Sequence, residues 1–536
     1  VEALTRETVS RGLLMGTIAA STLAWSFLVV SFHDVKIAAL WVGLSACWAA
    51  QCRWGLLAAP GFRAWLPAWS GLLLVSASGY LRAPVPWLVV EEALRVAALL
   101  LFAGVVYRQT RTARGRHGVF LAIACAGGAA GALALAQGGG WLPGLFPSFG
   151  HYDQTMYSVF GNEGLLGGYL ALALVLLPGA LGLEVGRGPT WRTVSLLAAG
   201  IVMFAALVLS ESRAGQLAFL AGGLVLAGSF RPRSARWAIP ALGALLALTC
   251  LAIALGGGSV EKWTGTLSEG DTGVQVRLWI GRAALAMAAV NPMSGLGLGN
   301  FAYWAPQFMG AAAGEYANDA TTYHAHFDLL ELFVETGVLG FLFLGWLFSR
   351  FRLRSRVALA GLVALAVFSC GYPAWASLPH ALAAVLLLGM NLRPELSRPS
   401  PSRRRMWFPL AVTVTICAAA SAHVATALWP SYLLRRAEDA HLAGEESTAA
   451  YRKAIAGLGF RGEAREGLGL YLLGQGDGEG AWEQLDAARR EVDTGRLYYL
   501  LYRAAIMRGD LPAAEAMKEA GIARWPWAAS RFDTPE

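Results

Sequence analysis

"TYHAHFDLLELFVETGVLGFLFLGWLF", Thr322 to Phe348, decides the class of this chain. From Leu329 onward it has the length and apolarity to cross a bilayer, which takes about 20 residues. Its entrance is different. His324 and His326 stand one residue apart in a chain with only 8 histidines, and Asp328, Glu331 and Glu335 follow closely. A helix running through all of them would set His324, Asp328, Glu331 and Glu335 on one face, with His326 about 200° away.

Runs of this kind recur along most of the 536 residues. The chain is 56% hydrophobic and 15% charged, where a soluble domain carries about 25% charge. Mean hydropathy is +0.49. About 13 candidate spans begin near residues 13, 36, 68, 88, 118, 163, 193, 214, 237, 327, 357, 378 and 407. The first, Leu13 to Phe32, is long for a signal-peptide core and lacks an A-x-A site, so it reads as a retained span. The net charge of +8 is no nucleic-acid signal, because in this part the arginines cluster in short loops between apolar runs.

Those clusters orient the chain. Arg108 to Arg116, Arg187 with Arg192, Arg231 to Arg236, Arg350 to Arg356 and Arg393 to Arg405 follow alternate spans, which assigns them to the cytoplasm. The loops 138–162, 210–213, 257–326 and 372–377 are poorer in Lys and Arg and fall on the outer side; Arg82 departs from the pattern. The six cysteines lie in or beside apolar runs with no metal-ligand spacing, as small packed residues do.

Two outer segments are large. One is the loop 257–326, with a helix expected over Gln275 to Ala289. The other is a polar tail, 431–536, whose side follows from the span count. In it Gly476-Asp477 and Gly509-Asp510 are 33 residues apart, each flanked by alanine-rich helical sequence. That period suits tetratricopeptide-like helical hairpins that bind or orient a partner.

Several residues could carry chemistry. Arg213, in "LSESRAG", lies between apolar runs on the outer side. It either pairs locally with Glu211 or binds a lipid-borne phosphate, to which a guanidinium offers planar, paired donors. Arg277 opens the 275–289 helix as an interfacial anchor or a second anion ligand. Arg282 is five residues on, about 500° around a helix, so the two do not share a face. In "NPMSGLGLGNF", Asn291 to Phe301, Gly295, Gly297 and Gly299 permit tight turns near a ligand or simply a connecting loop; the pattern is not a nucleotide-binding fingerprint. The histidines line a polar stripe or take a proton from an attacking hydroxyl, with a carboxylate fixing the tautomer. H-x-H plus a carboxylate is also a weak zinc pattern.

Together these motifs resemble the O-antigen ligase and polymerase superfamily. "YHAHFDLLELFVETGVLGFL" resembles its His-bearing signature, with His326, Glu331, Glu335 and Gly337 at the matching places. "SESRAG" resembles its Ser-Arg element, and "VRLWIGRAALAMAAVNPMSGLGLGNF" its Arg–Trp–P-x-x-G-x-G-x-G-x-F block, in the same chain order. Phe327 stands where many members have Asn, and Glu331 where Gln is common. The resemblance covers about residues 155–350.

The resemblance implies an all-α polytopic membrane protein of the C-type glycosyltransferase kind, with residues 1–430 as the transferase domain and 431–536 as the tetratricopeptide-like domain. It implies residence in the bacterial inner membrane, with site and tail periplasmic. The implied donor is a glycan on undecaprenyl diphosphate, and the acceptor is lipid A core, a glycan or a protein hydroxyl. Membrane lipids, but no nucleic acid, cofactor or metal, complete the partners. Carried over by position, His326 is the general base with His324 close by, and Arg213 and Arg277 hold the diphosphate. Arg282, Glu331, Gly297 and Gly299 join the arginines in binding substrate. Protein O-oligosaccharyl transfer is an alternative acceptor chemistry, and a lipid-linked glycan transporter or a scaffold is a different class.

Overall fold

A computed structural model of the chain describes residues 2–24, 32–53, 66–141, 156–182, 190–228, 272–309, 324–392, 407–457, 461–489, 491–492, 494–525, 529 and 532. Among these residues the fold is helical, and the β-contact is the isolated bridge Phe351–Leu392. The helices before the tail are α1 (Glu2–Leu23), α2 (Phe32–Arg53), α3 (Leu66–Tyr80), α4 (Pro86–Thr110), α5 (Ala113–Gly138), α6 (Glu163–Ala180) and α7 (Trp191–Leu209). They continue with α8 (Arg213–Ala227), α9 (Thr272–Val290), α10 (Phe301–Met309), α11 (Asp328–Ser349), α12 (Arg356–Phe368), α13 (Leu378–Asn391) and α14 (Trp407–His423).

Helices start where apolar runs meet capping residues. Asn162 caps α6, accepting from Leu165 N at 3.1 Å, and Ser212 caps α8, accepting from Gly215 N at 3.2 Å. Ser355 does the same for α12 through Ala358 N. The run expected near 237, and most of the 257–326 loop, lie outside the described residues. Among the described residues α5, α6, α7 and α11 are long and apolar enough to cross a membrane, with α8, α12 and α13 as shorter apolar helices. On α7, Val194 is 68% and Ile201 72% exposed, an apolar face that lipid covers at no cost. Arg192 lies over the Trp191 ring at its end, as interfacial anchors do.

The arginine-bearing loops come together. Arg111 donates to Leu392 O, Arg352 N bonds Asn391 O at 2.6 Å, and Arg354 N bonds Asn391 Oδ1 at 2.9 Å. His117 at the start of α5 bonds Gly179 O at the end of α6. The Arg-poor loops gather at the opposite end: Gln137 Oε1 accepts from Tyr157 and Ser158, and Ser212 donates to Gly164 O. Arg82, the outlier in the charge pattern, donates to Ser294 at this second end. Its position follows from a long-range tie rather than from orientation.

Small residues let the helices approach. A Cβ at Gly215 would fall 2.6 Å from the backbone carbon of Gly167, so α8 and α6 touch backbone to backbone. The apolar core runs through α1, α2, α4, α5, α6, α12 and α13, with Leu40, Phe102, Phe120, Leu166 and Phe368 fully buried.

One helix is broken. Gly337 in α11 has φ 60 and ψ −159, outside helical space. The freed backbone groups bond the 292–297 segment: Leu296 N to Val334 O (2.8 Å), Gly297 N to Glu335 O (3.1 Å), and Val338 N to Pro292 O (2.8 Å). Irregular backbone at membrane depth needs such partners. The glycine-rich stretch therefore has a structural task. A Cβ at Gly295 would sit 2.2 Å from Glu335 C.

Beyond α14 the chain stays helical. A π turn at Val424–Leu428, with Trp429 N–H reaching back to Val424 O, leads into α15 (Trp429–Leu442). The boundary expected at 430 thus lies inside a helical run. Then come α16 (Thr448–Ile455), α17 (Arg461–Gly474), α18 (Gly478–Ala488), α19 (Gly495–Met507) and α20 (Leu511–Arg524), each packed on the next. The repeated Gly-Asp pairs make equivalent turns. Gly476 and Gly509 have φ 80 and 76, and Asp477 and Asp510 cap α18 and α20.

Candidate functional site

At the Arg-poor end, two loops form a wall: 324–328 before α11 and 369–377 between α12 and α13. Asp328 N bonds Ser369 O at 3.3 Å, and Asp328 Oδ2 accepts from Trp375 N at 2.9 Å. Arg95 on α4 clamps the second loop, donating to Trp375 O with its guanidinium 5.4 Å from the Trp375 ring. Glu92 accepts from Arg95 Nε at 2.7 Å. The expectation that His324 shares a helix face with the carboxylates is corrected here. α11 begins only at Asp328, and both histidines lie in the loop before it.

The histidines face different partners. His324 Nδ1 is 2.7 Å from Glu331 Oε1, while Glu331 Oε2 accepts from Ala325 N at 2.7 Å. Burial pulls the His324 pKa down, but the hydrogen bond and charge of Glu331 outweigh it and leave the imidazole above its ordinary value. His326 has left-handed backbone, φ 55, as do Ser158 and Glu211 at the same end. Such strain in a non-glycine residue persists only where its surroundings hold it, and it collects at functional sites.

His326 looks toward Tyr372, with ring centroids 6.1 Å apart at 73°. Burial, then the charges of Arg277 and His324, push the His326 imidazole down to about 4, while a backbone hydrogen bond at Gly371 works the other way. Its Nδ1 has no hydrogen-bond partner among the described residues.

Arg277, in the first turns of α9, reaches the same place. Its Nε donates to Gly371 O at 3.3 Å, and its guanidinium carbon is 5.3 Å from the Tyr372 ring. Arg213 opens α8 beside it. A Cβ on Gly371 would lie 3.5 Å from Ala214 Cβ, and both Arg213 and Glu163 act electrostatically on Tyr372. Tyr372 itself stacks on Phe368 at 5.4 Å and 2°.

The structure therefore gathers Arg213, Arg277 and His326 around Tyr372, from loops over a hundred positions apart in part. It does not gather the rest. Arg282 lies exposed farther along α9, and Gly297 packs against Ala83, where a Cβ would come within 3.1 Å. Gly299, Glu331 and His324 line a large cavity on the other side of the wall. Glu335, below, accepts from Phe301 N at 3.3 Å. Among the described residues no three His, Cys, Asp or Glu form a metal-binding group, and the H-x-H pair diverges.

Sequence reasoning missed Tyr372, Trp375, Glu92 and Arg95. The last two had a signal: charged residues inside the apolar run "VVEEALRVAALLLF" are costly unless paired. The "CGYPAWAS" loop offered only its aromatics.

These observations define a helical membrane protein with a cationic, histidine-bearing site at one end of its bundle. A family model described as O-antigen ligase matches residues 198–345, which contain Arg213, Arg277 and both histidines. The match supports membership of the O-antigen ligase superfamily, and with it a glycosyltransferase-like ligase or polymerase activity. The curated proteins contain no match to the chain.

Proposed function

We propose that this protein moves a glycan from undecaprenyl diphosphate to an acceptor hydroxyl at the outer face of a bacterial inner membrane. The observation that carries this reading is the meeting of Arg277 and His326 at Gly371–Tyr372, with Arg213 at the adjoining helix start. Two guanidiniums beside a helix N-terminus suit a diphosphate. An imidazole held neutral beside the arginines suits a proton acceptor.

The acceptor hydroxyl gives its proton to the His326 imidazole as its oxygen attacks the anomeric carbon. The bond from that carbon to the diphosphate oxygen breaks, and lipid diphosphate leaves with the electron pair. Arg213 and Arg277 stabilise the charge that grows on the leaving group, where fixed positive charge accelerates most. The bound diphosphate also offsets the charge of Arg277, so it raises the basicity of His326 when a base is needed. His324, held by Glu331, faces the cavity on the other side of the wall. The tail's helical hairpins are tetratricopeptide-like and lie on the same side as the site.

The test uses purified full-length protein in nanodiscs with undecaprenyl-diphosphate glycan. Release of undecaprenyl diphosphate by wild type, and its loss in Arg213→Ala, Arg277→Ala and His326→Ala with folding retained, is expected. Full turnover in all three variants sinks the reading. Donor binding without release in wild type points to a transporter.

A further inference from the structure

On the far side of the wall from the two arginines lies a cavity of about 2430 Å³. That exceeds the 300–1,000 Å³ typical of a pocket for one small ligand, so it has room for several linked sugars. Its walls come from both parts of the chain. The bundle contributes Glu92, Tyr303, His324 and Trp375; the tail contributes Glu466, Arg496 and Trp525, among others. The tail is seated there. The Arg524 guanidinium is 4.9 Å from the Tyr303 ring. Deeper, between α11 and α13, the walls are apolar (Leu344, Phe348, Leu388), so polar recognition is confined to the part under the tail.

The cavity is rich in carboxyl groups and poor in free cations. Ten of its lining residues are Asp or Glu and four are Lys or Arg, in a protein of net charge +8. All four are engaged: Arg95 by Glu92, Arg496 by Glu466 at 3.4 Å, Lys36 by Thr22 O and Ala24 O, and Arg461 by Gly457 O. Arg213, Arg277 and His326 do not line it. An anionic ligand is drawn to the arginines, and among the cations lining this cavity it finds none unengaged. A ligand rich in hydroxyl donors finds carboxylate acceptors and the aromatic faces of Trp375 and Tyr303.

We propose that the C-terminal tail forms the outer wall of a subsite for the part of the acceptor remote from its reacting hydroxyl, which meets His326 beyond the wall, and that this subsite takes an oligosaccharide of neutral or amine-bearing sugars while rejecting phosphorylated or uronic-acid ones. The proposal rests on the glycosyl-transfer reading above, and it makes the tail part of the substrate site rather than a remote docking module.

The test measures binding of a fluorescent neutral hexasaccharide, and of its uronic-acid counterpart, to the full chain in nanodiscs without donor. The tail variant Glu463→Lys/Glu491→Lys reverses two exposed charges on the cavity rim. Wild type is expected to favour the neutral ligand by about tenfold or more, as a charge left without a partner at a site allows. The double variant should close most of that gap. Equal affinity of wild type for both ligands, or a selectivity untouched by the reversal, overturns the proposal. Because binding is read without donor, these outcomes stand apart from failure of donor turnover, which overturns only the transfer reading.

Discussion

Gly164→Ala tests whether Tyr372 holds the site together. Gly164 lies in the first turn of α6 and touches none of the reacting groups. A Cβ there would fall 2.0 Å from the Tyr372 ring carbon Cζ and 2.4 Å from its hydroxyl. Ordinary contact begins near 3.4 Å, so the ring must withdraw by about 1.4 Å. The ring carries Arg277 on its face and His326 at its edge. A misplacement of about 1 Å at a positioning group can cost about 100-fold, or about 2.7 kcal/mol of barrier. The substitution also favours helix by about 1 kcal/mol, which offsets part of the clash and argues against simple unfolding. We expect kcat for undecaprenyl-diphosphate release to fall about 100-fold. The cycle with Tyr372→Ala separates causes. If Gly164→Ala acts through Tyr372, the double variant is no worse than the poorer single variant. Additive losses, or full activity in Gly164→Ala, refute the reasoning.

Two further outcomes follow. His326 titrates near 4 and acts as a base when neutral, so kcat/KM of the free enzyme holds above that pH and falls as pH drops through it. Arg277 contributes to the depression, so Arg277→Gln moves the acid limb to higher pH, and an unmoved limb in the residual activity counts against the contact. The same shift affects folding. A histidine held below its unfolded value of 6.5 costs no stability above pH 6.5, and progressively more as pH falls from there toward 4. In the tail, Asp477→Ala and Asp510→Ala each remove a cap bond, of 2.8 Å to Gly480 N and 3.1 Å to Ala513 N. Each should cost about 1 kcal/mol, read as faster hydrogen exchange in the first turn of α18 or α20, with donor turnover retained. Unchanged exchange would mean that these turns do not depend on the repeated aspartates.

The helices were legible because apolarity and caps are local signals. The runs expected near 163, 193, 214, 357, 378 and 407 coincide with helices starting at Glu163, Trp191, Arg213, Arg356, Leu378 and Trp407. The 33-residue Gly-Asp spacing likewise marks two turns of one geometry. What stayed hidden depends on partners far away in sequence. Nothing near Gly337 announces that residues 292–297 will satisfy the break it makes in α11. Tyr372 gains its place only because Gly164 leaves room for the ring and Phe368 stacks beneath it. Gly297 fits a ligand loop in sequence, yet it is pressed against Ala83.

The H-x-H pair shows why spacing alone misleads. On an extended chain, residues two apart point the same way; on a helix they stand about 200° apart. Here neither applies, since His326 has left-handed backbone in the loop before α11. A bulky residue held there carries about 1–3 kcal/mol of strain. The bonds Asp328 N to Ser369 O and Trp375 N to Asp328 Oδ2 fix the next turn. The Gly371 backbone holds the ring. The result is a wall with one imidazole on each side: His324 with Glu331 facing the acidic cavity, and His326 beside Arg277. A transferase must bring the acceptor oxygen to the anomeric carbon of an anionic donor and take one proton from it there, so it needs a base beside the guanidiniums. Within this wall the left-handed turn at His326 supplies one.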